Sequence, residues 1–190
     1  MSIYLKETAI NETGLKEPSF NETRLGHSTL MLFNIESHDP ILTNCQTLIF
    51  INPLIWADLN SMGCDRPSRF PDGGSVQIPL SSFNHGVSHI AHILEQCPQV
   101  RSLHIYTTGR PGRLELGRDV LTNKTIERYA WQLQSWFSGL PSYVTPTLTL
   151  GHCNVGDGLQ GIRLIDQLHH LTGCHIHCLS SANGRHLQAV

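Results

Sequence analysis

From residue 46 onward, short apolar runs alternate with longer stretches whose apolar residues recur at helical spacing. Gln46 to Ile51 reads as a strand, because it is brief, continuous and rich in strand formers, and Asn52-Pro53 ends it. Ser75 to Leu80, Arg101 to Tyr106, Tyr143 to Leu150 and Cys174 to Ser180 predict further strands in the same way. Val87, Ile90, Ala91 and Leu94 fall at i, i+3, i+4 and i+7, which predicts an amphipathic helix over Ser82 to Cys97, stopped by Pro98. Ile126, Tyr129, Ala130, Leu133, Trp136 and Phe137 form one stripe of a helix running from Asn123, its cap, to Leu140. A helix over Leu159 to Leu171 closes with Gly173 as its C-terminal cap. Pro53 to Ser61 suits a short helix with Asn52 as cap, residues 63–74 read as a loop, and Arg113 to Leu121 as a small hairpin.

Strands alternating with helices predict an α/β domain with a mostly parallel sheet and helices on both faces. Ligand and catalytic groups in such sheets gather on loops at the carboxyl ends of strands. Two loops qualify: Thr107-Thr108-Gly109 after the third predicted strand, and Gly151-His152-Cys153-Asn154 after the fourth.

The first 40 residues follow a different pattern. They are polar, show little periodicity and carry a loose repeat, Ile10-Asn-Glu-Thr13 and Phe20-Asn-Glu-Thr23. Two readings stand for this stretch: a poorly ordered terminus, or an arm that orders against a protein partner through Ile3, Tyr4, Leu5, Phe20 and Leu25. Leu30 to Phe33 is apolar enough to add a strand to a sheet edge or to a partner. The chain of 190 residues therefore divides into an N-terminal extension, 1–40, and one α/β domain, 41–190.

Charge narrows the function classes. A net charge of -2, with Lys and Arg scattered, offers no basic surface for nucleic acid or an anionic membrane. No run approaches the ~18 apolar residues of a membrane span, and no leader pattern opens the chain, so a cytoplasmic protein is expected. In that setting Cys45, Cys64, Cys97, Cys153, Cys174 and Cys178 are reduced thiols. No cofactor is expected, since the glycines around Asp157 lack the Lys-Ser/Thr of a phosphate loop.

Twelve histidines raise the question of a metal. On a strand, Cys174, Ile176 and Cys178 share one face while His175 and His177 share the other, so the Cys-His-Ile-His-Cys run cannot converge on one ion. A two-histidine half-site with His152 or His104 is the metal alternative; core cysteines and strand-end histidines are the plainer reading, and no metal is expected. His85, His89 and His92 lie at i, i+4 and i+7 beside the apolar stripe and read as a solvated face. Asp157 reads as turn chemistry.

From Leu103 to the C-terminus the chain resembles the bacterial domain-of-unknown-function 4347 family, common in large cell-surface proteins and in cyanobacteria. The pattern is a strand with Ser-His-Gly, a Gly-x-Leu-x-Leu-Gly hairpin, a Tyr-Ala helix with a Trp, then Gly-Cys-Asn-Val, a Leu-Thr-Gly helix end and a last strand. Here it is carried by Gly112, Leu114, Leu116 and Gly117, by Tyr129, Ala130 and Trp136, by Cys153, Asn154 and Val155, and by Leu171, Thr172 and Gly173. The family in turn looks like the caspase- and gingipain-type cysteine peptidases, with the histidine after one strand and the cysteine after its neighbour.

That resemblance implies a caspase-like three-layer sandwich with Cys153 at the nucleophile position. It also implies a lost histidine, because Thr107-Thr108-Gly109 stands where the family has Ser-His-Gly, and the Thr108 hydroxyl is no base near neutral pH. A thiol of pKa ~8.5 needs a neighbouring base or cation to become a nucleophile. His152 adjoins Cys153, yet adjacent residues leaving a strand point to opposite sides, so it needs a tight turn to reach the sulfur. The expected function is thus a non-catalytic binding or structural subunit of a larger assembly, a cyanobacterial one if the family's distribution is a guide. The alternative is a cysteine peptidase or autoprocessing enzyme using Cys153 with His152.

Overall fold

The computed structural model describes residues 45–55, 75–82 and 84–179, together with the backbone of two further strands at 29–31 and 186–188. The residues proposed as arm anchors, Ile3, Tyr4, Leu5, Phe20 and Leu25, and the predicted loop at 63–74 lie outside the described residues.

Seven strands form the main sheet: β1 (Thr29–Met31), β2 (Thr47–Ile51), β3 (Ser75–Pro79), β4 (Ser102–Tyr106), β8 (Thr147–Gly151), β9 (His175–Leu179) and β10 (His186–Gln188). Their order is β1-β3-β2-β4-β8-β9-β10. All neighbours run parallel except β10, which returns antiparallel to β9. The fold is the expected α/β architecture with a mostly parallel sheet, and the apolar run at residue 30 does add a strand to the sheet edge.

Register sorts the side chains onto two faces. Leu48, Val76, Leu103, Leu148 and Ile176 lie in one row, and Phe50, Ile78, Ile105, Leu150 and Cys178 in the next. These residues share a single buried core with three helices: α1 (Gly86–Gln96), α2 (Ala130–Ser135) and α3 (Gly158–Thr172). On the opposite face Ile49, Ile51 and Tyr106 make a second, small cluster. Further across that face the residues become polar: Ser102, His104, Thr147, Thr149, His175 and His177.

Local sequence explains most element ends. Leu54 donates its backbone N–H to Asn52 Oδ1 at 3.0 Å, so Asn52 does cap the turn that begins at Pro53. Gly173 takes φ 68° and donates its N–H to the His169 carbonyl, closing α3 as expected.

The predicted helix from Asn123 to Leu140 is much shorter. The Thr125 hydroxyl accepts the Thr122 N–H at 3.0 Å and donates to the Val120 carbonyl at 2.7 Å, holding residues 122–125 in a turn. Helical structure then starts as a 3₁₀ turn (Ile126–Tyr129), and α2 covers only six residues. Asn123 caps nothing there. Its amide reaches across to α3 and donates to the Gln160 carbonyl and Oε1 at 3.1 and 2.8 Å.

Where a small hairpin was expected there are three strands: β5 (Gly109–Arg110), β6 (Arg113–Leu116) and β7 (Asp119–Thr122), paired antiparallel in a separate sheet. Leu114, Leu116 and Leu121 bury their side chains in the main core, so this sheet is fastened down. Among the described residues, no helix is long and apolar enough to cross a membrane.

Candidate functional site

β4 and β8 are direct neighbours, in register from Ser102 with Thr147 to Tyr106 with Gly151. The loops that follow them therefore leave the sheet side by side, at its carboxyl edge. They do meet. A Cβ added to Gly109 would lie 3.1 Å from the Cys153 Cβ and 2.9 Å from the Arg113 carbonyl oxygen. The Gly112 N–H donates to the Val155 carbonyl at 3.0 Å, tying the β5–β6 turn to the segment after Cys153. The small sheet thus closes over the cysteine.

Cys153 is 2% exposed. Burial pushes its thiol up to about 11; the Val155 backbone amide pulls the other way and the Asp157 carboxylate adds to the rise. Cys174, an interior thiol just past the C-terminal end of α3, is raised by burial to the same figure of about 11, and Cys178 to about 12. Cys153 carries no mark of activation that sets it apart from these core cysteines. The five cysteines among the described residues are free.

His152 has φ 58°, the left-handed conformation and the one such non-glycine among the described residues. The chain therefore does turn sharply between β8 and Cys153, as the rearranged dyad requires. The groups that move the Cys153 thiol are nevertheless burial, Val155 and Asp157.

Thr107 and Thr108 divide the work at the end of β4. Thr107 is fully buried and its hydroxyl donates to the Glu115 carbonyl. Thr108 is exposed, and its hydroxyl donates to Glu115 Oε2 at 2.9 Å. Arg113 Nε donates to the other carboxylate oxygen at 2.9 Å, and this bond, then the one from Thr108, holds the Glu115 carboxyl below the usual range. The Thr108 hydroxyl is thus engaged with a carboxylate.

One constellation was not legible in the chain. Asp119 on β7 is 3% exposed, accepts the Val87 N–H at 3.0 Å and lies 2.8 Å from His85 Nδ1. The Tyr129 hydroxyl donates to it at 3.4 Å. His85 is the N-terminal cap residue of α1, so Asp119 supplies from the small sheet the carboxylate that a helix start favours. The only sequence signal was an acidic residue in a hairpin that otherwise buries leucines.

The three-histidine face of α1 is not uniformly solvated. His85 is exposed but tied to Asp119, and His92 accepts from the Gln96 amide at 3.0 Å. His89 is half-buried and meets the Phe50 ring edge-on, with centroids 5.8 Å apart. On β9, His175 and His177 face away from buried Cys174, Ile176 and Cys178, as strand alternation requires. No three His, Cys, Asp or Glu side chains gather as a metal-binding group among the described residues.

Taken together, these features define an α/β domain whose carboxyl-edge loops enclose a thiol at the end of β8. The chain belongs to the family described as Domain of unknown function (DUF4347), whose model matches residues 72–189. No curated protein and no solved structure matches the chain.

Proposed function

We propose that this protein is a non-catalytic, caspase-like domain acting as a binding or structural subunit of a larger assembly. The observation that carries the reading is the state of Cys153: sealed under the small sheet, with a pKa of about 11. Burial thus disfavours the thiolate on which such a nucleophile depends. Thr108, where the resemblance puts the catalytic histidine, offers no basic nitrogen, and Glu115 occupies its hydroxyl. Adjacent strands that end in the two loops concerned support the caspase-like reading.

Loops that no longer serve chemistry remain a shaped surface beside the small sheet. In this reading they dock a protein partner together with the N-terminal arm and its anchors Ile3, Tyr4, Leu5, Phe20 and Leu25. The five free thiols among the described residues support a cytoplasmic setting.

A second reading, a peptidase using Cys153 with His152, is favoured by one observation only, the left-handed turn at His152. The alkylation rate of Cys153 against pH, followed by mass spectrometry with Cys97 and Cys174 as internal references, separates the two. The binding reading expects Cys153 to react as slowly as the references at pH 7. Fast reaction below pH 7 that slows in His152→Ala would overturn it and bring the peptidase forward.

A further inference from the structure

The face of the main sheet away from the three helices is expected to be apolar if it is simply packed, because a sheet in an α/β domain is covered on both sides. Over β4, β8 and β9 it is not. His104 on β4 is in register with Thr149 on β8, and Thr149 with His177 on β9. Leu103, Ile105, Leu148, Leu150, Ile176 and Cys178 fill the helix-side core, so alternation sends His104, Thr149 and His177 to the opposite face. The two imidazoles stand on the same row with one small side chain between them. Two strand spacings put their Cα atoms about 9.6 Å apart, a span that two histidine side chains can close around one ion at ~2.1 Å from each nitrogen.

His104 is prepared for this in a further respect. Its Nε2 lies 3.0 Å from the Ser102 hydroxyl, which is also held by Thr147 Oγ1 at 3.2 Å. Its other ring nitrogen, Nδ1, is buried and has no hydrogen-bond partner. It is one of eight buried side-chain nitrogen or oxygen atoms without a partner among the described residues, and such an atom can be satisfied by a water or an ion. In the tautomer whose Nε2–H donates to Ser102, Nδ1 presents a lone pair and the ring orientation is fixed, which is how outer-shell hydrogen bonds prepare metal-ligating histidines.

We propose that His104 and His177 form a two-imidazole site, across Thr149, for a borderline divalent cation of the Zn²⁺ or Ni²⁺ type. Imidazole suits these ions, and with two protein ligands the remaining positions belong to water, so binding is weak and exchangeable. The site lies on the opposite face of the sheet from the core that holds Cys153, and it does not depend on the function proposed above.

Twelve histidines make bulk metal uptake uninformative, so the readout has to be residue-specific. Ni²⁺ alone is titrated into the full chain at pH 7.5 while histidine ring resonances are followed by NMR. The expected result is that His104 and His177 broaden first, below one equivalent. In His104→Gln, the His177 response weakens at least about tenfold; in His177→Gln, the His104 response falls in the same way. His92→Gln leaves both unchanged. Having both variants keeps the test decisive should one of them fold poorly. Broadening that begins at other histidines, or a His177 response unchanged in His104→Gln, overturns the site.

Discussion

Gly109 lies against Cys153 so closely that a Cβ on the glycine would stand 3.1 Å from the cysteine Cβ. A backbone carbonyl, that of Arg113, closes the other side at 2.9 Å, so a side chain cannot be absorbed by a rotamer change. Gly109→Ala should therefore destabilise the fold by about 1–3 kcal/mol, as overpacking does. The comparison is Gly158→Ala, whose φ of 65° is unwelcome to alanine but whose added Cβ would meet nothing within 4 Å. It should cost only ~1–2 kcal/mol, from backbone strain alone. Urea denaturation measures both losses, and the alkylation rate of Cys153 tells the variants apart: Gly109→Ala, and not Gly158→Ala, should speed it, because it lifts the small sheet off the thiol.

Asp119 is a clamp between the small sheet and α1. Removing its carboxylate strands the buried Val87 N–H and releases His85 and Tyr129. Asp119→Ala is expected to lose on the order of 3 kcal/mol, and Asp119→Asn, which keeps one acceptor oxygen, roughly half of that. Equal losses in the two variants would mean that volume, and not hydrogen bonding, is what Asp119 contributes.

His89 gives the protein a dependence on acid. Burial, then the charge of His92, lowers its pKa from the ordinary 6.5. Its neutral form therefore suits the folded state, and the stability it preserves is fully present above pH ~6.5. As pH falls below that value the unfolded chain binds a proton that the folded imidazole refuses, so stability declines until the folded pKa is passed. His104, lowered by burial and by His177, acts in the same direction. Thermal unfolding between pH 8 and pH 5 should show the decline. His89→Gln should flatten the slope without abolishing it, and a slope unchanged in that variant would rule out His89 as its source.

Five strands, the hairpin region, the closing role of Gly173 and the capping of the 53–55 turn by Asn52 can be read along the chain, because each leaves its mark in the type and spacing of residues a few positions apart. The same holds for the split of Cys174 to Cys178 into a buried and a polar face, which follows from the two-residue period of a strand. The long helix that the pattern predicts after Asn123 is cut short for the converse reason. Its apolar stripe is genuine, since Ile126, Leu133 and Trp136 are all buried, but the competing turn made by the Thr125 hydroxyl decides where the helix begins.

Other features belonged to no local pattern. That Gly109 would touch Cys153 depended on β4 and β8 being neighbours, a fact of strand order. Asp119 reaches the start of α1 across more than thirty positions, and His104 and His177 share a row only through the intervening strand. Periodicity along a chain states which side chains prefer to be buried. Which of them meet, and how far burial moves a thiol or an imidazole, is set by the register and closure of distant segments, and only the assembled structure decides that.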